Sequence, residues 1–108
     1  MTDRASLGEF EQLVLLACLR LGPDAYTVSV VEEIATRAGR PVSHATVYVA
    51  LRRLEKKGLV TSELGEATPE RGGRAKRFFR VQPEAVVMLE EARDALLNMW
   101  DGLEPSTS

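Results

Sequence analysis

One cysteine, one histidine and one tryptophan in 108 residues exclude several kinds of protein before any pattern is read. A lone cysteine builds no disulfide framework, and Cys18 lies inside the apolar run 13–19, which marks it as a core thiol rather than a reactive one. With His44 as the sole imidazole, no cluster of His, Cys, Asp and Glu has metal-ligand spacing, and no Gly-rich phosphate loop or nucleophile elbow occurs. Neither an enzyme nor a bound metal or cofactor is expected. Long apolar runs are missing too: the longest has seven residues, against roughly 18 for a membrane span. The start MTDRASLGEFEQ lacks the charged-then-apolar order of a signal peptide. A cytoplasmic protein with no membrane partner is expected, with a modest core.

A large excess of either charge is also absent, since the formal net charge is −2. The balance hides a division along the chain. Residues 40–80 hold ten Lys and Arg against four Glu, a local +6, and the remainder holds four basic and twelve acidic residues, a local −8. A basic middle inside an acidic frame makes a phosphate-seeking field without a basic protein overall. The plainer alternative is a solvated charged surface.

The basic segment is organised around PVSHATVYVALRRLEKKG, residues 41–58. Ser43 can cap a helix, Val47, Leu51 and Leu54 recur at helical spacing, and Gly58 supplies a left-handed stop. With Val47 at zero, Leu51 and Leu54 fall within about 40° of it, while Ala45, Val49, Arg52 and Lys56 fall near the opposite side. Small apolar groups in line with long cations suit a DNA major groove, where methyl contacts and guanidinium donors both read bases. His44, at the helix start beside Ser43, fits a capping or phosphate-contacting role better than a ligand role.

Upstream, Ser6-Leu7-Gly8-Glu9 matches a capping box, so a helix is expected from near Leu7 to the Gly22-Pro23 stop. From Leu13 onward it is apolar almost all round, which hints at a partner subunit. A second helix follows, with Thr27 as cap, Val30, Val31, Ile34 and Ala38 as its inward stripe, and Gly39 as its end. Pro41 then forces a tight connection to the basic helix, the helix-turn-helix pattern.

Beyond Gly58 the period becomes extended. LVTSELGE (59–66) and RAKRFFRV (74–81) read as the strands of a hairpin, with a tip at 67–73 and cations at Arg71, Arg74, Lys76 and Arg77. A basic hairpin after a helix-turn-helix is a wing whose tip touches phosphates or a minor groove. Alternatively, the cations only protect an exposed edge from pairing. Pro83 and Glu84 open a last helix. With Leu89 at zero, Ala85, Ala92, Leu96, Trp100 and Leu103 lie within about 60°, Val86, Leu97 and Met99 extend the arc, and an acidic face opposes it. So wide an apolar arc, together with the first helix, predicts a homodimer joined through Phe10, Val14, Leu89, Leu96, Met99, Trp100 and Leu103. Trp100, with Leu96 and Met99 beside it, could line a pocket between subunits for a flat apolar or aromatic effector.

Three segments, LGEFEQLVLLACLRLGPDAY, ATVYVALRRLEKKGLV and GGRAKRFFRVQPEA, stand in an order and spacing that resemble the PadR-type winged-helix transcriptional regulators over nearly the whole chain. The single terminal helix resembles the compact subfamily. The resemblance implies bacterial repressors that bind operators as dimers and are often released by a small molecule. It places the recognition helix on residues 43–57, with Thr46, Tyr48 and Arg52 at groove-facing positions, and the wing basics on Arg74, Lys76 and Arg77. Two departures stand out. Tyr26-Thr27 replaces a common Tyr-Gly, and Gln82-Pro83-Glu84-Ala85 replaces Thr-Pro-Glu-Gly, losing the preferred cap of the last helix.

The expected architecture is mainly α (α+β): a winged helix-turn-helix over residues 1–82, a dimerisation helix over 83–104 and a disordered tail over 105–108. The expected partners are double-stranded DNA and a second copy of the chain. DNA reading would fall to Ser43, His44, Ala45, Thr46, Tyr48, Val49, Arg52 and Lys56 on the helix, and to Arg71, Arg74, Lys76 and Arg77 on the wing. The alternative is a winged-helix protein-interaction module whose basic face meets an acidic protein.

Overall fold

The computed structural model describes residues 7–65 and 75–103. Four helices and one hairpin follow in the order α1 (Glu9–Leu21), α2 (Thr27–Arg37), α3 (His44–Lys56), β1 (Val60–Leu64), β2 (Arg77–Val81) and α4 (Pro83–Trp100), with a short 3₁₀ turn at Gly22–Asp24. This is the winged helix that the sequence pattern predicts.

The start of α1 differs from expectation. Gly8, not Ser6, is the cap, and its N–H donates to Oε1 of Glu11 at 3.0 Å. Glu9 is drawn off instead by Arg40, whose Nη2 lies 2.8 Å from Oε2. Ser6 lies outside the described residues. Along α1, Val14, Leu15, Ala17 and Cys18 are buried, whereas Leu16 and Leu19 remain 45% and 43% exposed. The helix is thus covered on one side only.

The cap of α2 is Tyr26 rather than Thr27, because Ser29 Oγ accepts the Tyr26 N–H at 3.0 Å and donates back to Asp24 O at 2.7 Å. Val30 and Ile34 are buried, Val31 packs at the edge of the core, and Ala38 is exposed. In α3, Ser43 Oγ accepts the Thr46 N–H at 3.0 Å, as a capping serine should. Val47, Leu51 and Leu54 are fully buried, with Ala50 beside them. Each buried leucine there contributes about 1.5–3 kcal/mol of apolar burial. Gly58, at φ 77°, turns the chain out of α3 into the wing, a conformation that costs a side chain more than glycine.

The strands pair antiparallel, Val60 opposite Val81 and Leu64 opposite Arg77, and the Gly65 N–H extends the ladder to Lys76 O at 2.7 Å. The expected tip at 67–73, with Arg71, and Arg74 at the start of the expected second strand lie outside the described residues. One contact was not foreseen: Phe79 N–H donates to Ala25 O at 2.9 Å, and Tyr26 bridges antiparallel to Phe78. The segment between the first two helices therefore docks along the free edge of β2. Val60 and Phe79 close the core from the wing side.

Pro83 occupies the first turn of α4, where its missing N–H costs nothing. Ala85, Met88 and Leu89 anchor this helix to the core, and every described residue beyond Ala92 is exposed. The helix ends at Trp100, with Gly102 at φ 84° just after it, so Leu103 lies past the helical stretch.

Candidate nucleic-acid interface

Because one face of α3 is buried in the core, its other face is fixed in orientation toward solvent. Ala45, Val49, Arg52 and Lys56 are all exposed there, Val49 at 51%, and Tyr48 stands beside them at 42%. His44 and Thr46 are exposed at the helix start, where the Ser43 and Thr46 hydroxyls lie 2.8 Å apart. The four wheel positions Ala45, Val49, Arg52 and Lys56 are thus exposed opposite the buried Val47, Leu51 and Leu54.

Arg52, Lys76 and Arg77 are held by neighbouring side chains. Arg52 Nη1 donates to the Tyr48 hydroxyl at 3.2 Å, its guanidinium carbon lies 5.8 Å from the Tyr48 ring centroid, and its Nε is 3.3 Å from Glu55 Oε1. The other Glu55 oxygen accepts the Ser62 hydroxyl at 2.6 Å, and Arg77 Nη1 donates to that same Ser62 oxygen at 2.9 Å. Five residues from α3, β1 and β2 are joined in one polar chain. Lys76 Nζ sits 4.4 Å from the Tyr26 ring centroid and 3.4 Å from its hydroxyl, at the base of the wing. Tyr26 in turn meets Phe78 edge-on, with centroids 5.5 Å apart.

Two ion pairs brace this surface from behind. Lys57 Nζ lies 2.8 Å from Glu11 Oε2, and the Arg40 guanidinium forks across both Glu9 oxygens at 2.8 and 3.4 Å. The Arg40 hydrogen bond and charge hold the Glu9 carboxyl below its usual range. Partial burial would raise the Glu11 carboxyl, but Lys57 and the Gly8 N–H outweigh it and the net direction is downward.

The apolar residues assigned to a subunit contact separate into three places. Val14 has no exposure and belongs to the protomer's own core, because α1 turns that side inward. Phe10 lines an open groove of about 740 Å³ between the start of α1 and Ala45, Thr46 and Val49 of α3, away from Trp100. Leu89, Leu96 and Trp100 line a second open cleft, of about 510 Å³, between α4 and Leu16 and Leu19 of α1. Leu96, Met99, Trp100 and Leu103 are 59%, 76%, 55% and 60% exposed. Sequence reasoning missed Leu16 and Leu19, although they sit three apart, off the Val14, Leu15 and Cys18 stripe. It also passed over Glu55, whose signal was an acid three residues after Arg52 in a basic stretch.

Among the described residues no group of three or more His, Cys, Asp or Glu could hold a metal ion, and no helix is long and apolar enough to cross a membrane. A helix-turn-helix with a wing, presenting a basic and partly apolar helix to solvent, is the architecture of DNA-binding transcriptional regulators. Residues 15–84 match the transcriptional regulator PadR-like family, and the chain belongs to that family. Its fold is similar to that of a PadR family transcriptional regulator from Eggerthella lenta, at 28% identity over 88% of this chain and 82% of that one, with a TM-score of 0.65. It is also similar to a PadR family transcription regulator from Clostridium difficile, at 18% identity over 89% and 98% of the two chains, TM-score 0.68. A third similar structure is Bordetella bronchiseptica BpsR, whose DNA binding is described as regulated by 6-hydroxynicotinic acid. That match has 22% identity over 96% and 73% of the chains, TM-score 0.63. No curated protein sequence matches the chain.

Proposed function

We propose that the protein is a homodimeric repressor that reads a near-palindromic operator through two copies of α3 and is released by a small flat apolar effector. The observation that carries this reading is the exposed line Ala45, Val49, Arg52 and Lys56 on a helix whose opposite face is locked into the core. In it Ser43, His44 and the first N–H groups of α3 hold a phosphate, Tyr48 and Lys56 brace the backbone, and Arg52 with Thr46, Ala45 and Val49 meets base edges. Lys76 and Arg77 reach the DNA backbone from the base of the wing, and the DNA contact extends to Arg71 and Arg74.

Residues 1–82 act as the reading unit, and α4 with the residues after it, 83–104, as the pairing element. The α1 and α4 cleft supports pairing, because Leu16, Leu19, Leu96, Leu97 and Trp100 expose a contiguous apolar surface in a lone protomer. Two reading helices related by a two-fold axis would meet half-sites about one DNA turn apart. The effector reading is supported by Trp100 lining that cleft, and release by a small molecule as such by BpsR, a relative in fold whose DNA binding is regulated by 6-hydroxynicotinic acid.

Fluorescence anisotropy with a random-sequence duplex at several salt concentrations tests the DNA reading. Lys76→Ala should reduce the salt slope by about one unit. An unchanged slope sinks the wing assignment, and no salt-dependent binding by the wild type leaves the protein-interaction module ahead. Sedimentation of Leu96→Glu should give a monomer with weakened DNA binding; a dimer that survives this change rejects the cleft as the subunit contact.

A further inference from the structure

We infer that Glu55 is a positioning residue that sets which bases the recognition helix accepts, by clamping Arg52 for guanine at the expense of phosphate. The inference rests on α3 being the DNA-reading element. Glu55 follows Arg52 by three residues, so their side chains meet on the α3 surface. Its carboxylate is pinned from the wing side. Arg77 can only donate, so the oxygen of Ser62 receives the Arg77 N–H and the single Ser62 hydrogen is committed to Glu55 Oε2 at 2.6 Å. Oε1 is thereby held facing Arg52 Nε at 3.3 Å, shielded from water and with no hydrogen-bond partner among the described residues.

The arginine is thus held at two edges, by an ion pair at Nε without hydrogen-bond geometry and by a hydrogen bond at Nη1. Glu55 faces its Nε side, and the Tyr48 hydroxyl takes one Nη1 hydrogen at 3.2 Å. The remaining N–H groups, on Nη1 and Nη2, are the end-on fork that donates in parallel to O6 and N7 of guanine. A guanidinium free to rotate would lie along any phosphate it met. A clamped one, with a carboxylate beside it, is repaid less by phosphate and loses less freedom on reading a base. Glu55 therefore weakens binding to arbitrary DNA and strengthens discrimination between sequences.

Glu55→Gln separates this role from simple support. The amide carbonyl can still accept the Ser62 hydroxyl, which turns the NH₂ toward Arg52 Nε, donor against donor, and releases the guanidinium. Anisotropy is measured on two labelled probes: a random-sequence duplex, and a duplex enriched from a randomised library by the wild-type protein. For E55Q the salt slope on the random duplex should steepen by about one unit, as Arg52 gains a phosphate. The preference for the enriched duplex should fall by about tenfold, and reselection with E55Q should relax a guanine position that the wild type fixes.

A loss of folded protein alone would weaken both probes equally and leave their ratio intact. Tyr48→Phe, at an exposed position, removes the other half of the clamp without touching the core and should shift the ratio the same way by a smaller factor. An unchanged ratio and an unchanged selected sequence in folded E55Q, or in Y48F should E55Q not fold, overturns the inference. If the wild type shows no salt-dependent binding to either probe, the DNA reading of α3 fails instead.

Discussion

Replacing Gly65 with alanine should loosen the wing at its base. A methyl group on Gly65 would lie 2.6 Å from Cε2 and 3.1 Å from Cδ2 of Phe78, and 3.5 Å from the Lys76 carbonyl oxygen. The first two are well inside the roughly 3.5–4.0 Å of a comfortable carbon contact. The ring has little room to retreat, because it packs edge-on against Tyr26 at 5.5 Å and its own backbone bridges to Tyr26. Nor can Gly65 move away without breaking its 2.7 Å bond to Lys76 O. Overpacking of this kind costs about 1–3 kcal/mol, and for a domain of about this size each kcal/mol lowers Tm by roughly 4–8 °C. Thermal unfolding followed by circular dichroism, on G65A, Phe78→Ala and the double variant, isolates the cause. Once the ring is gone the added methyl meets little, so the coupling should be about 1 kcal/mol or more. A G65A protein that melts with the wild type, or one that loses as much stability in the F78A background, refutes the reasoning.

Two further outcomes follow from the titratable groups. Burial pushes the Cys18 thiol from 9.0 up to about 12, so the native protein should resist iodoacetamide at neutral pH and react readily only in denaturant; rapid native alkylation, read by mass spectrometry, would contradict its place in the core. The folded Glu11 carboxyl sits below its ordinary value of 4.5, so its contribution to stability is fully present above 4.5 and is lost as pH falls through the folded value. Urea midpoints should therefore decline on acidification, and Glu11→Gln should be less stable at neutral pH with a shallower acid decline; identical acid profiles would remove Lys57 and Glu11 as a brace.

The helices were legible because each carries its own punctuation. Ser43, Gly58, Pro83 and the Val47, Leu51, Leu54 spacing are local signals, and local geometry honours them. Where a signal had two competing readers, it misled. Ser6-x-x-Glu9 and Gly8-x-x-Glu11 both suit a helix start; the cap is Gly8, and Glu9 pairs instead with Arg40, thirty-one residues away. Val14 failed for a related reason. A helical wheel sorts apolar from polar but not one apolar side from another, and only the packing of α1 sends Val14 inward and leaves Leu16 and Leu19 open.

The candidate site divides the same way. That Ala45, Val49, Arg52 and Lys56 share a face is a property of α3 alone, so the sequence could show it. That the Glu55 carboxylate beside Arg52 is pinned is a property of how β1 and β2 meet. Val60, Ser62 and Leu64 point to one side of β1, and Phe79 and Arg77 share that side of β2, because Ser62 pairs with Phe79 and Leu64 with Arg77. Val60 and Phe79 are buried on this side, and beyond the core Ser62 continues it to reach Glu55 while Arg77 donates to Ser62. A one-residue slip would turn Ser62 to the opposite face and leave the Glu55 carboxylate unpinned beside Arg52. Val60, buried on the same side of β1 as Ser62, would be exposed by such a slip, and its burial therefore also keeps the Glu55 carboxylate pinned beside the arginine of the recognition helix.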